Sequence, residues 1–110
     1  MAVNSEKIKY VADVDSTIEE AWTKIEVNKH RSVIIVEKGR VVGTLSDGDL
    51  RKAMLAHRLL SAPVREAMNT NFIVLTENNK VEAENIFLKK DIFLIPVIDK
   101  EMRLLDIITR

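Results

Sequence analysis

Apolar residues along the chain alternate between a helical spacing and short continuous runs, in the same order twice. In the first half, four apolar residues fall at i, i+3, i+4 and i+7, on one face of a helix: Ile18, Ala21, Trp22 and Ile25. Ser16 or Thr17 precedes them as a potential N-cap, with acids in the first turn. The β-branched run 33–36 then predicts a buried strand, and Gly39 predicts a turn into a second strand, 40–45.

The same order returns about 62 residues later. The second helical face consists of Ala83, Ile86, Phe87 and Lys90, the last able to extend its charge to solvent. A buried strand is predicted at 94–98 and its partner at 103–108, after a turn at Lys100 and Glu101. One additional residue in that turn makes the offset 63, so that Thr109 coincides with Ser46. The chain is therefore an internal duplication.

The link between the copies predicts a helix from Asp49 to about Leu59, followed by a short helical turn over 63–68 that Pro63 begins. Each unit is then β-α-β-β-α, and the fold class is α/β (α+β) with two repeats related by pseudo-two-fold symmetry. Repeat 1 occupies 1–60 and repeat 2 occupies 61–110. Because repeat 2 reaches Thr109 and Arg110 before its last helix, we expect it to be truncated from a longer parent chain.

The amino-acid composition argues against several classes of function. The 17 basic and 17 acidic residues leave no net charge to attract nucleic acid. The absence of Cys rules out a disulfide framework and a Cys-based zinc site. No apolar run approaches the roughly 20 residues that span a membrane, and the stretch MAVNSEKIKY lacks the core of a signal peptide. Three glycines do not form a glycine-rich phosphate loop. We therefore expect a cytoplasmic protein.

Three stretches resemble a known family: VVGTLSDGD at 41–49, LIPVID at 94–99 and LLDIIT at 104–109. Together they are similar to a tandem CBS-domain pair, or Bateman module, most like those fused ahead of sugar-1-phosphate nucleotidyltransferases. The resemblance implies a regulatory module that binds AMP, ADP, ATP or S-adenosylmethionine between its repeats and modulates an attached enzyme. It also implies a homodimer, and no cofactor is required.

In the family pattern, a hydroxyl and an acid three residues later contact phosphate and ribose, which places Ser46 and Asp49 in these roles. The N-terminus of the helix favours phosphate, with Asp47 beside it and Arg51 supplying positive charge. The strand containing Ile34 would give adenine an apolar wall, and the resemblance implies backbone contacts from Ile95 and Pro96. The alternative interpretation is structural, because S-x-x-D is close to a helix capping box. The two roles use different atoms and remain compatible.

The corresponding position in repeat 2 is less favourable to a ligand. Thr109 supplies the hydroxyl, but its acidic partner would lie beyond Arg110. Asp106 replaces Gly43, and a carboxylate there would crowd or repel a phosphate. We therefore predict at most one good site, near repeat 1.

Other residues do not indicate catalysis or metal binding. His30 and His57 are isolated and predict a solvated surface, and D-G-D lacks the further carboxylates of a calcium loop. Trp22 is interpreted as a core or interface residue, with base stacking as the alternative. No catalytic constellation is visible, so the chain is predicted not to be an enzyme. The competing hypotheses are a ligand-free dimerisation module and, less favoured, a small catalytic domain.

Overall fold

The computed structural model describes residues 7–110, so most of the stretch considered for a signal peptide lies outside the described residues. Within residues 7–110, the secondary structure comprises two 3-10 turns, three helices and five strands, in this order: Ile8–Tyr10 (3-10), β1 Val11–Asp13, α1 Ile18–Asn28, β2 Ser32–Glu37, β3 Arg40–Ser46, α2 Asp47–Leu55, Val64–Glu66 (3-10), α3 Lys80–Lys89, β4 Leu94–Ile98 and β5 Leu104–Thr109. The predicted α+β class is confirmed.

Each repeat combines an antiparallel hairpin with a parallel neighbour. In repeat 1, β1 runs parallel to β2, and β2 pairs with β3 in an antiparallel register. In repeat 2, β4 and β5 form the hairpin, and the parallel neighbour is a single bridge between Leu75 and Val97. The Leu75 amide donates to the Pro96 carbonyl at 3.0 Å, and the Ile98 amide donates to the Leu75 carbonyl at 2.8 Å. The duplication seen in the sequence is therefore present in the fold.

Helix α1 begins as its apolar pattern and capping residues predict. Thr17, rather than Ser16, is the N-cap: its hydroxyl accepts from the Glu20 amide at 3.1 Å, and Glu20 accepts from the Thr17 amide at 2.9 Å. This capping box satisfies two amide groups that the helix itself leaves unpaired. Ile18, Ala21 and Ile25 face the core.

Helix α2 is shorter than its apolar pattern predicts. It ends at Leu55, four residues before the predicted end, because His57 adopts a left-handed conformation with φ of 61°. The amides of His57 and Arg58 donate to the carbonyls of Met54 and Ala53, each at 3.0 Å, which is a Schellman termination. Histidine rather than glycine occupies the left-handed position, so the stop has no glycine signal. The predicted helical turn at 63–68 also contracts, to Val64–Glu66.

A shared apolar cluster joins the two repeats. Two of its buried members come from the first hairpin and four from the second: Ile34, Val41, Leu94, Ile98, Leu104 and Ile107. Backbone hydrogen bonds reinforce the contact, since the Val41 amide donates to the Met102 carbonyl at 2.8 Å and the Leu104 amide donates to the Gly39 carbonyl at 3.1 Å. The hairpins are thereby packed against each other, and the ends of their strands border a common cleft.

Candidate ligand-binding cleft

A cleft of about 280 Å³ lies where β3 of repeat 1 passes into α2, opposite two segments of repeat 2. One wall is formed by residues 44–51, and the opposing wall by segments 69–73 and 91–94. The lining residues are Arg31, Ser32, Thr44, Ser46, Asp47, Gly48, Asp49, Arg51, Asn69, Asn71, Phe72, Ile73, Asp91, Ile92, Phe93 and Leu94. The cleft therefore contains polar groups from a helix N-terminus and an apolar surface from the second repeat.

The first turn of α2 is organised by a capping box between Ser46 and Asp49. The Asp49 amide donates to the Ser46 hydroxyl oxygen at 3.2 Å, and the Ser46 amide donates to Asp49 Oδ2 at 2.9 Å. The Ser46 hydroxyl also lies 3.0 Å from the same carboxylate oxygen, as a donor to it. The structural role predicted for S-x-x-D is therefore confirmed. Asp49 Oδ1 makes no hydrogen bond within residues 7–110, so one oxygen remains available to the cleft.

Backbone and cationic donors surround this turn. The Asp47 amide donates to the Arg31 carbonyl at 3.1 Å, whereas the Gly48 amide has no partner among residues 7–110. A β-carbon placed on Gly48 would lie 3.7 Å from Nη2 of Arg51, which places that guanidinium over the first turn of the helix. An unpaired amide and a guanidinium at a helix N-terminus suit an anionic or polar group.

Gly43 allows repeat 2 to approach β3 closely. A β-carbon at Gly43 would lie 2.8 Å from Sδ of Met68 and 3.1 Å from the carbonyl oxygen of Asn69. Next to it, the Thr44 amide donates to the Asn69 carbonyl at 3.0 Å, and the Asn69 amide donates to the Thr44 carbonyl at 2.7 Å. This paired backbone holds segment 69–73 at the edge of β3, where it lines the cleft.

An aromatic ring with two cations lies at one side of the cleft. The guanidinium carbon of Arg31 is 5.0 Å from the centroid of the Phe93 ring, and that of Arg110 is 5.4 Å away. Both distances fall within the range of cation–π attraction. Arg31 has a φ of 60°, and its left-handed backbone positions this residue before β2. The pair Arg31 and Phe93 thus brings charge and a π face to the same wall.

The structure brings four of the eight predicted ligand residues together at the cleft: Ser46, Asp47, Asp49 and Arg51. The side chains of Ile34, Ile95 and Pro96 are fully buried instead. The expectation that Ile34 provides the apolar wall is therefore corrected, because its side chain belongs to the core between the repeats. The backbone contacts expected from Ile95 and Pro96 stay predictions.

Several cleft residues were missed by the sequence reasoning. The apolar wall comes from Phe72, Ile73, Ile92, Phe93 and Leu94, in the two segments that lead into the strands of repeat 2. Arg31 precedes β2 in the same way that Phe93 precedes β4, one repeat offset later. That repeated position, just before a buried strand, was a signal in the sequence that could have identified both residues.

The eighth predicted residue, Thr109, lies in a different groove. This groove of about 720 Å³ runs between α3 and β5 and includes Phe87, Ile108 and Arg110. Asp106, which replaces Gly43, forms an ion pair with Lys7 and a hydrogen bond with Asn78. The residue expected to repel a phosphate in repeat 2 is therefore engaged in a structural contact.

The remaining singled-out residues lie outside the cleft. Trp22 packs against the core of repeat 1 and borders a groove with Leu50 and Met54. His30 is half-buried rather than solvated, because its Nδ1 lies 3.1 Å from the Tyr10 hydroxyl and 2.9 Å from the Asn28 carbonyl. His57 is exposed. Over residues 7–110, no group of three His, Asp or Glu side chains could hold a metal ion.

None of the helices between residues 7 and 110 combines the length and apolar character needed to cross a membrane. The cytoplasmic location stays a prediction.

A duplicated α+β unit with a polar and apolar cleft between its copies defines a class of small modules, and comparison with known proteins identifies the family. The model of the CBS domain matches twice, at residues 6–56 and 64–110, and the chain belongs to this family. The predicted tandem pair is thereby confirmed, and the chain is of the CBS regulatory type, which is not catalytic.

The curated relatives of this chain are sugar-phosphate isomerases. The chain is 35% identical over 69 residues to the arabinose 5-phosphate isomerase GutQ of Salmonella typhi, and 33% identical over 66 residues to GutQ of Escherichia coli K12. These matches cover 62% and 59% of the chain. The chain spans about a fifth of the length of these curated relatives, 22% and 21%. These relatives are isomerases and do not support the predicted association with a nucleotidyltransferase.

Solved structures share the fold. The CBS-domain protein PAE2072 of Pyrobaculum aerophilum, complexed with AMP, superposes with a TM-score of 0.73 at 20% identity, over 90% of this chain and 78% of that one. The CBS-domain pair of protein MJ0100, in complex with 5′-methylthioadenosine and S-adenosyl-L-methionine, has a TM-score of 0.72 at 27% identity. It covers 90% of this chain and 82% of that one.

Proposed function

We propose that this chain is a regulatory module that binds an adenosine-containing ligand in the cleft between its repeats and modulates an attached enzyme. The observation that carries the proposal is the meeting of the Ser46–Asp49 turn with the apolar segments 69–73 and 91–94 around one cavity. Asp49 Oδ1 can accept hydrogen bonds from a ribose, and the Gly48 amide and Arg51 can contact a group at the 5′ position. Phe72 and Ile92 offer an apolar surface to a base.

The relatives support this proposal. The MJ0100 pair, which is 27% identical to this chain, was solved with two adenosine derivatives. The curated relatives carry the matching segment within a larger sugar-phosphate isomerase. We therefore propose that the attached enzyme acts on a phosphorylated sugar. The alternative for the attached enzyme is a sugar-1-phosphate nucleotidyltransferase, as predicted from the sequence. The test is to measure isomerase and nucleotidyltransferase activity of the natural polypeptide with and without the ligand.

Ligand binding is tested by calorimetry with adenosine, AMP and S-adenosylmethionine, on the wild type and on Asp49→Asn. Asparagine retains an acceptor for the Ser46 amide and so preserves the cap, but it removes the charge. Because hydrogen bonds to charged groups contribute about 1.5–3 kcal/mol, we expect binding to weaken about tenfold or more.

The matched control is Asp15→Asn, which changes an exposed acid outside the cleft. It should leave the affinity unchanged. Unaltered affinity in Asp49→Asn would remove Asp49 from the site, and the absence of binding by all three ligands at millimolar concentration would refute the proposed function.

A second candidate function is dimerisation, as the sequence analysis suggested. Trp22, Leu50, Met54 and Leu55 border an apolar groove between α1 and α2, and Leu55 is 81% exposed. A second copy of this chain could bury that surface. Sedimentation equilibrium should then give a dimer that Leu55→Lys weakens, whereas Leu88→Lys, on the equally exposed Leu88 of α3, should not. A monomer at high protein concentration would exclude this function.

A further inference from the structure

The charges that line the cleft do not balance. Two guanidiniums, of Arg31 and Arg51, face three carboxylates, of Asp47, Asp49 and Asp91. The cleft therefore carries one more negative than positive charge, although the whole chain is neutral. A ligand that enters the cleft experiences this local excess, because short-range interactions are screened less than distant ones.

These five charged groups do not neutralise one another. Among the ion pairs of residues 7–110, none includes Arg31, Arg51 or any of the three aspartates. Asp49 is held by Ser46, but the carboxylates of Asp47 and Asp91 accept no hydrogen bond in the same part of the chain. Arg31 is directed in part at the face of Phe93. Two carboxylates thus remain without a protein partner at the walls of the cleft.

The cavity is also small. Its volume of about 280 Å³ is just below the range of small-molecule pockets, about 300–1,000 Å³. A nucleoside with a short 5′ substituent makes better use of such a space than a nucleoside with a chain of phosphates. A single phosphate could pair with Arg51 at the N-terminus of α2, but each further phosphate would bring negative charge towards Asp47 or Asp91.

From the charge excess and the small volume, we propose that the cleft selects adenosine derivatives with a neutral 5′ group or a single 5′ phosphate and discriminates against di- and triphosphates. Asp47 and Asp91 are the residues that determine this specificity. The inference rests on the proposed function, and it adds the class of ligand and the residues that select it.

The test compares AMP, ADP and ATP by calorimetry at one fixed ionic strength, with a chelator present so that no magnesium neutralises the phosphates. Since two unit charges 4 Å apart in water repel by about 1 kcal/mol, we expect AMP to bind roughly five- to tenfold more tightly than ATP. Higher salt should narrow this ratio, because the charges that produce it are accessible to ions.

The variant Asp47→Asn/Asp91→Asn should bring the AMP and ATP affinities close to each other, mainly by strengthening ATP binding. The matched control Asp15→Asn/Glu84→Gln removes two exposed acids outside the cleft and should keep the wild-type ratio. This control separates a local effect from the change in net charge, which is the same in both variants.

The outcomes distinguish this inference from the proposed function. If ATP binds the wild type as tightly as AMP, the selectivity is refuted while the nucleotide site stands. If the preference for AMP persists in Asp47→Asn/Asp91→Asn, the assignment of specificity to these two aspartates is overturned. If neither adenosine, S-adenosylmethionine nor any of the three nucleotides binds, the proposed function fails together with the inference.

Discussion

The two repeats have the same apolar pattern but finish their second strands differently. In repeat 1, Ser46 caps a helix whose Leu50 and Ala53 are buried, and the turn borders a cleft. In repeat 2, Asp106 is tied to Lys7 and Asn78, and Ile108 borders a wide groove. The comparison teaches that duplication preserved the apolar pattern, whereas the residues near the end of the second strand diverged in role.

The largest difference in stability between the two repeats should appear when equivalent strand residues are replaced by alanine. Leu45 is fully buried, whereas Ile108, at the same position in repeat 2, is only half-buried. Leu45→Ala should lower the free energy of unfolding by about 2–5 kcal/mol, because it leaves a cavity in the core. Ile108→Ala should cost clearly less, as its side chain already meets solvent.

Urea denaturation of both variants measures this difference. If both variants lost the same unfolding free energy, the groove beside Ile108 would have to be covered in solution. The two strand positions would then not differ in burial.

A smaller effect is expected at the residue pair Gly43 and Asp106. Gly43→Ala should destabilise by about 1–3 kcal/mol, because the added methyl group meets Met68 and the Asn69 carbonyl. Asp106→Ala removes a partly exposed ion pair and should cost about 1 kcal/mol or less. Thermal unfolding of the two variants gives the comparison.

Gly48→Ala is the control for adding a methyl group, since a β-carbon there makes only ordinary contacts. Gly43→Ala should cost less in a Met68→Ala background than in the wild type, because the close contact with the Met68 side chain is then absent. If Gly43→Ala were as stable as the wild type, the close approach of segment 69–73 to β3 would be wrong.

The smallest difference between the repeats is expected in how their hairpin turns affect the pH dependence of stability. In repeat 2, backbone hydrogen bonding from Arg103 is the main cause that lowers the pKa of Asp99 below its ordinary value of 3.8. The Arg103 side chain adds to this by donating to Asp99 Oδ2 at 2.8 Å. In repeat 1, Glu37 makes only a 3.6 Å ion pair with Arg65.

A carboxyl whose folded pKa is lowered stabilises the fold above its unfolded pKa, and this contribution is lost as pH falls through the folded value. Unfolding free energies measured from about pH 5 down to about pH 2.5 should therefore depend less on pH in Asp99→Asn than in the wild type. Glu37→Gln removes only the 3.6 Å ion pair of repeat 1 and should change the curve less than Asp99→Asn does. If the pH dependence changed more in Glu37→Gln than in Asp99→Asn, the conclusion that the turn of repeat 2 contributes more to it would be wrong.

Local patterns predicted most of the secondary structure. Helix α1 and strand β4 follow from apolar spacing and β-branched runs, and the caps at Thr17 and Ser46 follow from residue types that accept amide hydrogen bonds. The end of α2 was predicted too late, since its left-handed residue is His57. The left-handed conformation there depends on the hydrogen bonds of the following turn rather than on a glycine.

The candidate site also has one part that local sequence predicted and one part that only the packing of the repeats creates. Ser46, Asp47, Asp49 and Arg51 are neighbours in sequence, so their proximity at a helix N-terminus was predictable. The opposing wall was not, because Phe72 and Ile92 reach the cleft only when the two hairpins pack together.

The sequence by itself determined the duplication, the order of helices and strands, the capping motif at Ser46 and the family, since each of these depends on interactions between residues close along the chain or on a repeated pattern. Tertiary structure decided that Ile34 belongs to the core, that the cleft is small and carries excess negative charge, and that Thr109 lies elsewhere. The physical reason is that burial and local charge are sums over residues distant in sequence. Only the packing of one repeat against the other brings those residues together.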